Sequence, residues 1–294
     1  MKTTAEMQVK YVHHCGDDLT PVNSARKSFG RKSDWLKSSD DLSKEDPLPE
    51  NYKVHNSYIL TPQGNKILKK ADLNLLKYLV RGIPTSEYQS LLSSLQSSSD
   101  IDEIEKALWK FRKTPEHDTP YNHNFLTLEL EAPIFCHRQI IKHEYMICSE
   151  FSRRYITDDL KFYLPLVHRY AAADVKQGSS SEFINTETLE NLLNTNNDST
   201  INSILIESQN LYENLIDKHS YNICPEQARA FLPLCLMTSW TWSGTLGAFT
   251  KMCNLRLDPH TQQETRLIAQ DVRNILYDLY PVSARLLIDP TSIL

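Results

Sequence analysis

"CHRQIIKHEYMICSEFSRRY", residues 136–155, gathers four arginines or lysines and two histidines into twenty residues, with Glu144 directly after Lys142 and His143. The whole chain carries a net charge of −5, so these cations are a local feature and not part of a basic surface. A helix rich in Arg, Lys and Glu is ordinarily a solvated face. Three features argue otherwise here. Ile134, Phe135, Ile140, Ile141, Met146, Ile147 and Phe151 interleave with the charges, which predicts a largely buried segment. Buried charges require partners. The run "SEFSRR" offers hydroxyl, backbone N–H and guanidinium donors in a short loop, a set suited to a phosphate. Two further arginines sit among apolar residues. "CPEQARAFLPL" puts Arg229 on an expected core helix, and "NLRLDPHTQQE" puts Arg256 between Leu255 and Leu257, with His260 nearby. Arg256 has Asp258 and Glu264 within reach as ion partners, yet three such arginines in apolar contexts point to a shared anionic ligand.

The rest of the composition narrows the function classes. The chain has 294 residues, 40% hydrophobic and 23% charged, which is ordinary globular usage. Its seven glycines form neither GxGxxG nor GxxxxGK[ST], against a glycine-rich dinucleotide or P-loop fold. The acidic balance argues against a nucleic-acid partner. No apolar run of signal or membrane-spanning length occurs, so the expectation is a soluble, cytoplasmic protein with no membrane partner. Six cysteines without a CxxC pair read as free thiols. His13, His14 and Cys15 are too crowded to ligate one ion together, so no metal is expected.

Periodicity outlines the elements. "MQVKYV" reads as a strand, followed by irregular polar segments to about residue 60. "ADLNLLKYLVRG" places Leu73, Leu76 and Val80 on one helical face and stops at Gly82, a good C-terminal cap. After a serine-rich break, a helix over 101–112 carries Ile101, Ile104, Leu108 and Phe111 on one face, with Asp100 as N-cap and Glu103 at the capping-box position. "FLTLELEAP" alternates like a half-buried strand. Pro133 suits the first turn of a following helix through "IFCHRQIIKHE". Residues 174–200 read as loop. Helices are expected at 201–218, 225–240, 242–253 and 262–279, the last with Leu267, Ile268, Val272, Ile275 and Leu279 on one face. The fold class is α+β, mainly helical with one small antiparallel sheet, in a single domain over 1–294.

The segment "RQIIKHEYMICSEFSRRY" resembles the signature of the flavin-dependent thymidylate synthases, an Arg-His-Arg triplet followed after seven residues by Ser. Lys142, His143 and Glu144 stand at the triplet, and Ser152 falls at the serine. "GDDLTPVNSARKSFG", "HDTPYNH", "FYLPLVHRYAAADVKQGSS", "PEQARAFLPL" and "NLRLDPHTQ" are similar to further blocks of that family, in order, from residue 16 to about 264.

The resemblance implies conversion of dUMP to dTMP. Methylenetetrahydrofolate supplies the carbon, FAD reduced by NADPH supplies the hydride, and a homotetramer holds its sites between subunits. It assigns the nucleotide to Gln139, Glu150, Ser152, Arg154, Arg229 and Arg256, each of the family's residue type. Ser152 and Arg154 would hold the phosphate. Arg256 would stabilise negative charge on the pyrimidine O2 and N1, making C5 nucleophilic. The flavin positions carry over less well. Ser28, Thr119, His143 and His260 remain. Lys142 and Glu144 replace the arginines of the triplet, Ser149 an asparagine, and Asn122 a glutamate, while Thr245 and Gly247 fall where the family has Asn and Arg. A carboxylate at 144 where a guanidinium met a flavin replaces attraction with repulsion. An insert at about 83–114 also departs from the family pattern.

Three readings follow. The first is thymidylate synthesis with FAD held in an unusual way. The second is flavin-independent hydroxymethylation of dUMP or dCMP, with water quenching the exocyclic methylene and Glu144 or His143 activating it. In that case Cys148 is the nearest candidate nucleophile for C6, its plainer role being a small apolar filler. The third is a catalytically silent nucleotide-binding paralogue.

Overall fold

The computed structural model describes residues 1–36, 60–61, 64–65, 68–82, 88–90, 93, 117–172 and 179–288. The helix expected at 101–112 lies outside them, as does most of the insert expected at about 83–114. The chain is an α+β protein of two compact units. The first comprises Met1–Val12, Thr127–Ser243 and Leu255–Asp271, and the second His13–Leu126, Gly244–Asn254 and Val272–Leu294.

In the first unit, strands β1 (Lys2–Thr4), β2 (Gln8–Cys15), β5 (Phe125–Pro133), β6 (Met146–Glu150), β7 (Lys161–Tyr163), β8 (Val167–Ala171), β9 (Ser179–Asn185) and β10 (Met237–Thr245) lie wholly or mostly within the unit's residues. They form a four-stranded sheet in the order β2-β5-β10-β6, a β8-β9 pair, and a parallel β1-β7 pair. Only one small sheet was expected. Helices α3 (Ile134–Ile140), α4 (Thr186–Thr195), α5 (Ile201–Ile216) and α6 (Pro225–Ala228) belong here too. Leu160, Phe162, Leu205, Tyr212, Ala228 and Leu236 make a buried cluster.

The alternation of "FLTLELEAP" is realised in β5, where Leu126, Leu128, Leu130 and Ala132 are buried and Glu129 is exposed. Pro133 precedes α3 as expected, but the helix stops at Ile140 and does not reach Glu144. The β-branched pair Ile140–Ile141 weakens helix continuation, and 146–150 is captured as an edge strand. Tyr145 makes the bend with φ of 63°, a left-handed conformation uncommon for an aromatic residue. The helix expected at 225–240 is also cut short, to α6 and a 3-10 turn at Arg229–Phe231. Pro233 cannot sit inside it, and "MTSWTWSGT" becomes β10, burying Trp240 and Trp242 on its inward face. The stretch read as loop after 174 holds β9 and α4, with the Asn185 side chain accepting the Glu187 N–H as N-cap.

The second unit contains α1 (Leu19–Lys27), which the sequence reading missed, and α2 (Lys70–Arg81), together with two short antiparallel strands, β3 (Leu60–Thr61) and β4 (Gly64–Asn65). It also holds most of α7 (Leu246–Arg256), the later turns of α8 (Gln263–Leu279), and α9 (Ser283–Ile288). Gly82 caps α2 with φ of 71°, as its position predicted, donating its N–H to the Tyr78 carbonyl. Leu73 and Leu76 are buried, but Leu79 takes the buried place expected for Val80. In α8 the inward face is Ile268, Ala269, Val272 and Leu276, and Leu267 is exposed. Asp18 is fully buried, and its carboxylate accepts the N–H groups of Val282 and Ser283 at the start of α9. Burial pushes its pKa up to about 6. Among the described residues no helix is long and apolar enough to cross a membrane.

Candidate active site

Five of the six residues expected to bind a nucleotide fall within 139–154 and 229, and Arg256 closes α7; all lie in the first unit. Arg256 is held on two sides. Its Nε donates to His143 Nε2 at 2.9 Å, and its Nη2 donates to the Gln139 carbonyl at 2.9 Å. It pairs with neither Asp258 nor Glu264: Asp258 holds His260, and Glu264 holds Arg169. Burial, and then the Arg256 charge, push the His143 pKa down to about 4. A neutral imidazole can accept a hydrogen bond from a guanidinium, so this pair is self-consistent. Gln139 spends its own side chain internally, donating to Gln262 Oε1 at 2.5 Å and accepting from Thr265 Oγ1 at 3.3 Å.

Glu150 accepts from Thr238 Oγ1 at 2.8 Å and faces His137 Nδ1 at 3.5 Å. Ser152 opens a turn in which its carbonyl accepts the N–H groups of Tyr155 and Ile156, and its hydroxyl accepts the Arg154 N–H at 3.3 Å. A cavity of about 180 Å³ is lined by Glu150, Ser152, Arg229 and Thr238, with Arg153 and Phe151 beside them. Three expected nucleotide residues therefore share one cavity. Arg154 does not line it, because its guanidinium stands 3.2 Å from Glu226. Arg229 is exposed on the 3-10 turn after α6, and Ala228 takes the buried place expected for it. Arg153, to which the sequence reading gave no role, is clamped by the carbonyls of Asp158 and Asp159 and lies over the Phe151 ring. It also lines a wider cleft of about 380 Å³ with Lys10, Glu129, Glu131 and Lys161.

The expected burial of the cationic segment is not met within the chain. Tyr145, Ile147 and Tyr155 are 80%, 67% and 78% exposed. Ile147 sits on the edge strand β6, and Tyr145 and Tyr155 stand in the turns that flank it. Lys142, Glu144 and Ser149 are likewise exposed, and His260 Nδ1 pairs with Asp258 at 2.9 Å. Ser28 and Thr119 are exposed residues of the second unit. In that unit Asn122, Thr245 and Gly247 meet. Thr245 Oγ1 donates to Asn122 Oδ1 at 2.7 Å, and a Cβ on Gly247 would lie 2.4 Å from the same oxygen. The space a side chain at 247 would occupy is thus filled by Asn122. These three neutral residues satisfy each other and do not fit the charged flavin contacts that the resemblance implies there. Among the described residues no group of three His, Cys, Asp or Glu side chains is arranged to hold a metal, and the six cysteines are free thiols.

Comparison with known proteins gives this geometry a lineage. The chain is 29% identical over 223 residues to the flavin-dependent thymidylate synthase of Treponema denticola, covering 74% of this chain and 79% of that protein. It is 27% identical over 219 residues to that of Thermosipho africanus, covering 74% and 90%. The UMP/dUMP methylase PolB from Streptomyces cacaoi, solved with 5-Br dUMP, superposes with a TM-score of 0.60 at 18% identity, over 97% of this chain and 96% of that one, and so shares the fold. The sequence model described as "Thymidylate synthase complementing protein" matches residues 74–282, and the chain belongs to that family.

Proposed function

We propose that this protein transfers a one-carbon unit from methylenetetrahydrofolate to C5 of a pyrimidine deoxynucleotide monophosphate. The observation that carries the reading is Arg256, a guanidinium fixed by a neutral His143 and the Gln139 carbonyl. Preorganised in this way, it stabilises negative charge developing on O2 and N1 of the base while C5 attacks the one-carbon unit. Ser152 and Arg229, on the wall of the 180 Å³ cavity, hold the phosphate, and Arg154 joins them by exchanging Glu226 for the ligand. The names of the relatives and of the structural neighbour support a dUMP-like substrate. The assembly is a homotetramer, in which the exposed apolar residues of the cationic segment meet another copy.

Two outcomes at the exocyclic methylene remain distinct. Thymidylate synthesis needs a hydride, which reduced FAD and NADPH supply in the flavin-dependent reading. The Asn122–Thr245–Gly247 contact and the carboxylate of Glu144 favour the other outcome, in which Glu144 activates water at the methylene and the product is hydroxymethylated. Incubation with methylenetetrahydrofolate and dUMP or dCMP, with and without NADPH, followed by mass spectrometry of the nucleotide, decides. A gain of CH2O without NADPH is expected from a protein with little visible absorbance. A yellow protein that adds CH2 only with NADPH would establish the flavin route. A bound but unchanged nucleotide would mark the chain as a silent paralogue.

A further inference from the structure

Strand β6 presents Met146, Cys148 and Glu150 on one face, because side chains alternate along a strand. The buried His137 of α3 stands against that face. Its Nε2 lies 3.5 Å from Cys148 Sγ, and its Nδ1 lies 3.5 Å from Glu150 Oε1. The Trp240 ring packs on the imidazole with centroids 4.6 Å apart, so the ring cannot turn freely. A carboxylate facing Nδ1 favours the tautomer with the proton on that nitrogen, leaving the Nε2 lone pair toward the thiol. Nucleophile, base and orienting carboxylate thus stand in the order that nucleophilic catalysis uses. The thiol is exposed, and Glu150 also lines the 180 Å³ cavity with Ser152 and Arg229.

We propose that Cys148 is a catalytic nucleophile that adds to C6 of the bound pyrimidine, with His137 as its base and Glu150 as the positioning residue. This deepens the proposed one-carbon transfer and rests on that reading of the site. The Sγ–C6 bond forms as the thiol proton passes to His137 Nε2 and the C5=C6 π pair moves onto C5 and O4. C5 then bonds to the one-carbon unit, or to a proton from water when folate is absent. With folate, loss of the original C5 hydrogen as a proton and cleavage of the C–N bond release tetrahydrofolate and leave an exocyclic methylene; water adds to that methylene, the folate nitrogens take up the C5 proton and one proton of the water, and expulsion of Sγ from C6 restores the double bond. Without folate, loss of the original C5 hydrogen as a proton to water and cleavage of Sγ–C6 restore it directly, and in both cases the imidazolium returns its proton to sulfur. No oxidant or reductant is consumed. Partial desolvation where Cys148 packs against His137, and then the Glu150 charge, push the thiol up, and burial pushes the His137 imidazole down, so the resting pair is neutral and the proton leaves sulfur only as the new bond forms.

The test is exchange of the C5 hydrogen of dUMP or dCMP in D2O without folate, followed by proton NMR, with nucleotide affinity measured on the same samples by calorimetry. The wild-type protein should exchange the C5 hydrogen. Cys148→Ala should lose exchange and product formation by about 10²–10⁴-fold while its nucleotide affinity is retained. His137→Gln should slow exchange and move its pH profile, which a purely structural histidine would not do. Iodoacetamide should label Cys148, with saturating nucleotide protecting it. Full exchange and turnover in Cys148→Ala, or no exchange in wild-type protein with nucleotide bound, overturns the nucleophile and leaves one-carbon transfer standing. Failure of the wild-type protein to bind either nucleotide overturns both.

Discussion

The interaction between Arg256 and His143 ties the chemistry of the site to its titration. His143 has a folded value of about 4, below the ordinary 6.5, from burial first and the adjacent guanidinium second. With the folded value depressed, the unfolded chain takes up the proton first. The pair's contribution is therefore complete above pH 6.5 and is lost as pH falls toward 4. NMR of the His143 ring should show no titration between about pH 5.5 and 8, and a midpoint near 6.5 would disprove the pairing. Replacing Arg256 with Ala should weaken dUMP or dCMP binding by on the order of 2–3 kcal/mol, read by calorimetry, because a charge-assisted contact is removed. Arg154→Ala should cost less, since binding must first displace Glu226 from its guanidinium. At this scale Glu150, Ser152 and Arg229, which the family resemblance assigns to the nucleotide, lie together on the wall of one cavity. The resemblance could not reveal that Gln139 is consumed by Gln262 and Thr265, or that His137 meets Cys148, since those contacts join segments distant in sequence or facing across two elements.

The start of α7 shows how substitutions in one element become coupled to another. Thr245 Oγ1 accepts the Ala248 N–H at 3.2 Å, capping the helix, and also donates to Asn122. A methyl at 247 must push the Asn122 amide away and break that bond, at about 1 kcal/mol. Alanine meanwhile favours the helix over glycine by roughly 0.5–1 kcal/mol. Gly247→Ala should thus be near neutral alone and stabilising in an Asn122→Ala background. Denaturant unfolding of the four proteins should give a coupling of about 1 kcal/mol, and strict additivity would rule the contact out. Element by element, long amphipathic segments such as α2 and α5 and the alternating β5 were legible. Errors fell at "AFLPLCLMTSW" and at 179–195. There local propensity favoured helix or loop, and strand pairing with distant partners, β8 with β9 and β10 within its sheet, outweighed it.

A chain that leaves Tyr145, Ile147 and Tyr155 exposed on its cationic segment is expected to cover them by self-association. Light scattering should report a tetramer at micromolar concentration, and Ile147→Asp should dissociate it. A stable wild-type monomer would remove the subunit-boundary site. Residue order alone carried the α+β class, the helix stop at Gly82 and the strand at 125–133. Each of these depends on a local period or a backbone preference, both written within a few residues of one another. Packing in three dimensions settled the end of α3 at Ile140, the edge position of β6 and the pairing of Arg256 with His143. It also settled the contact of Asn122 with Gly247 and the meeting of Cys148, His137 and Glu150. These rest on which strand pairs with which and on which buried polar groups find partners, free energies that exist only once segments far apart along the chain are in contact.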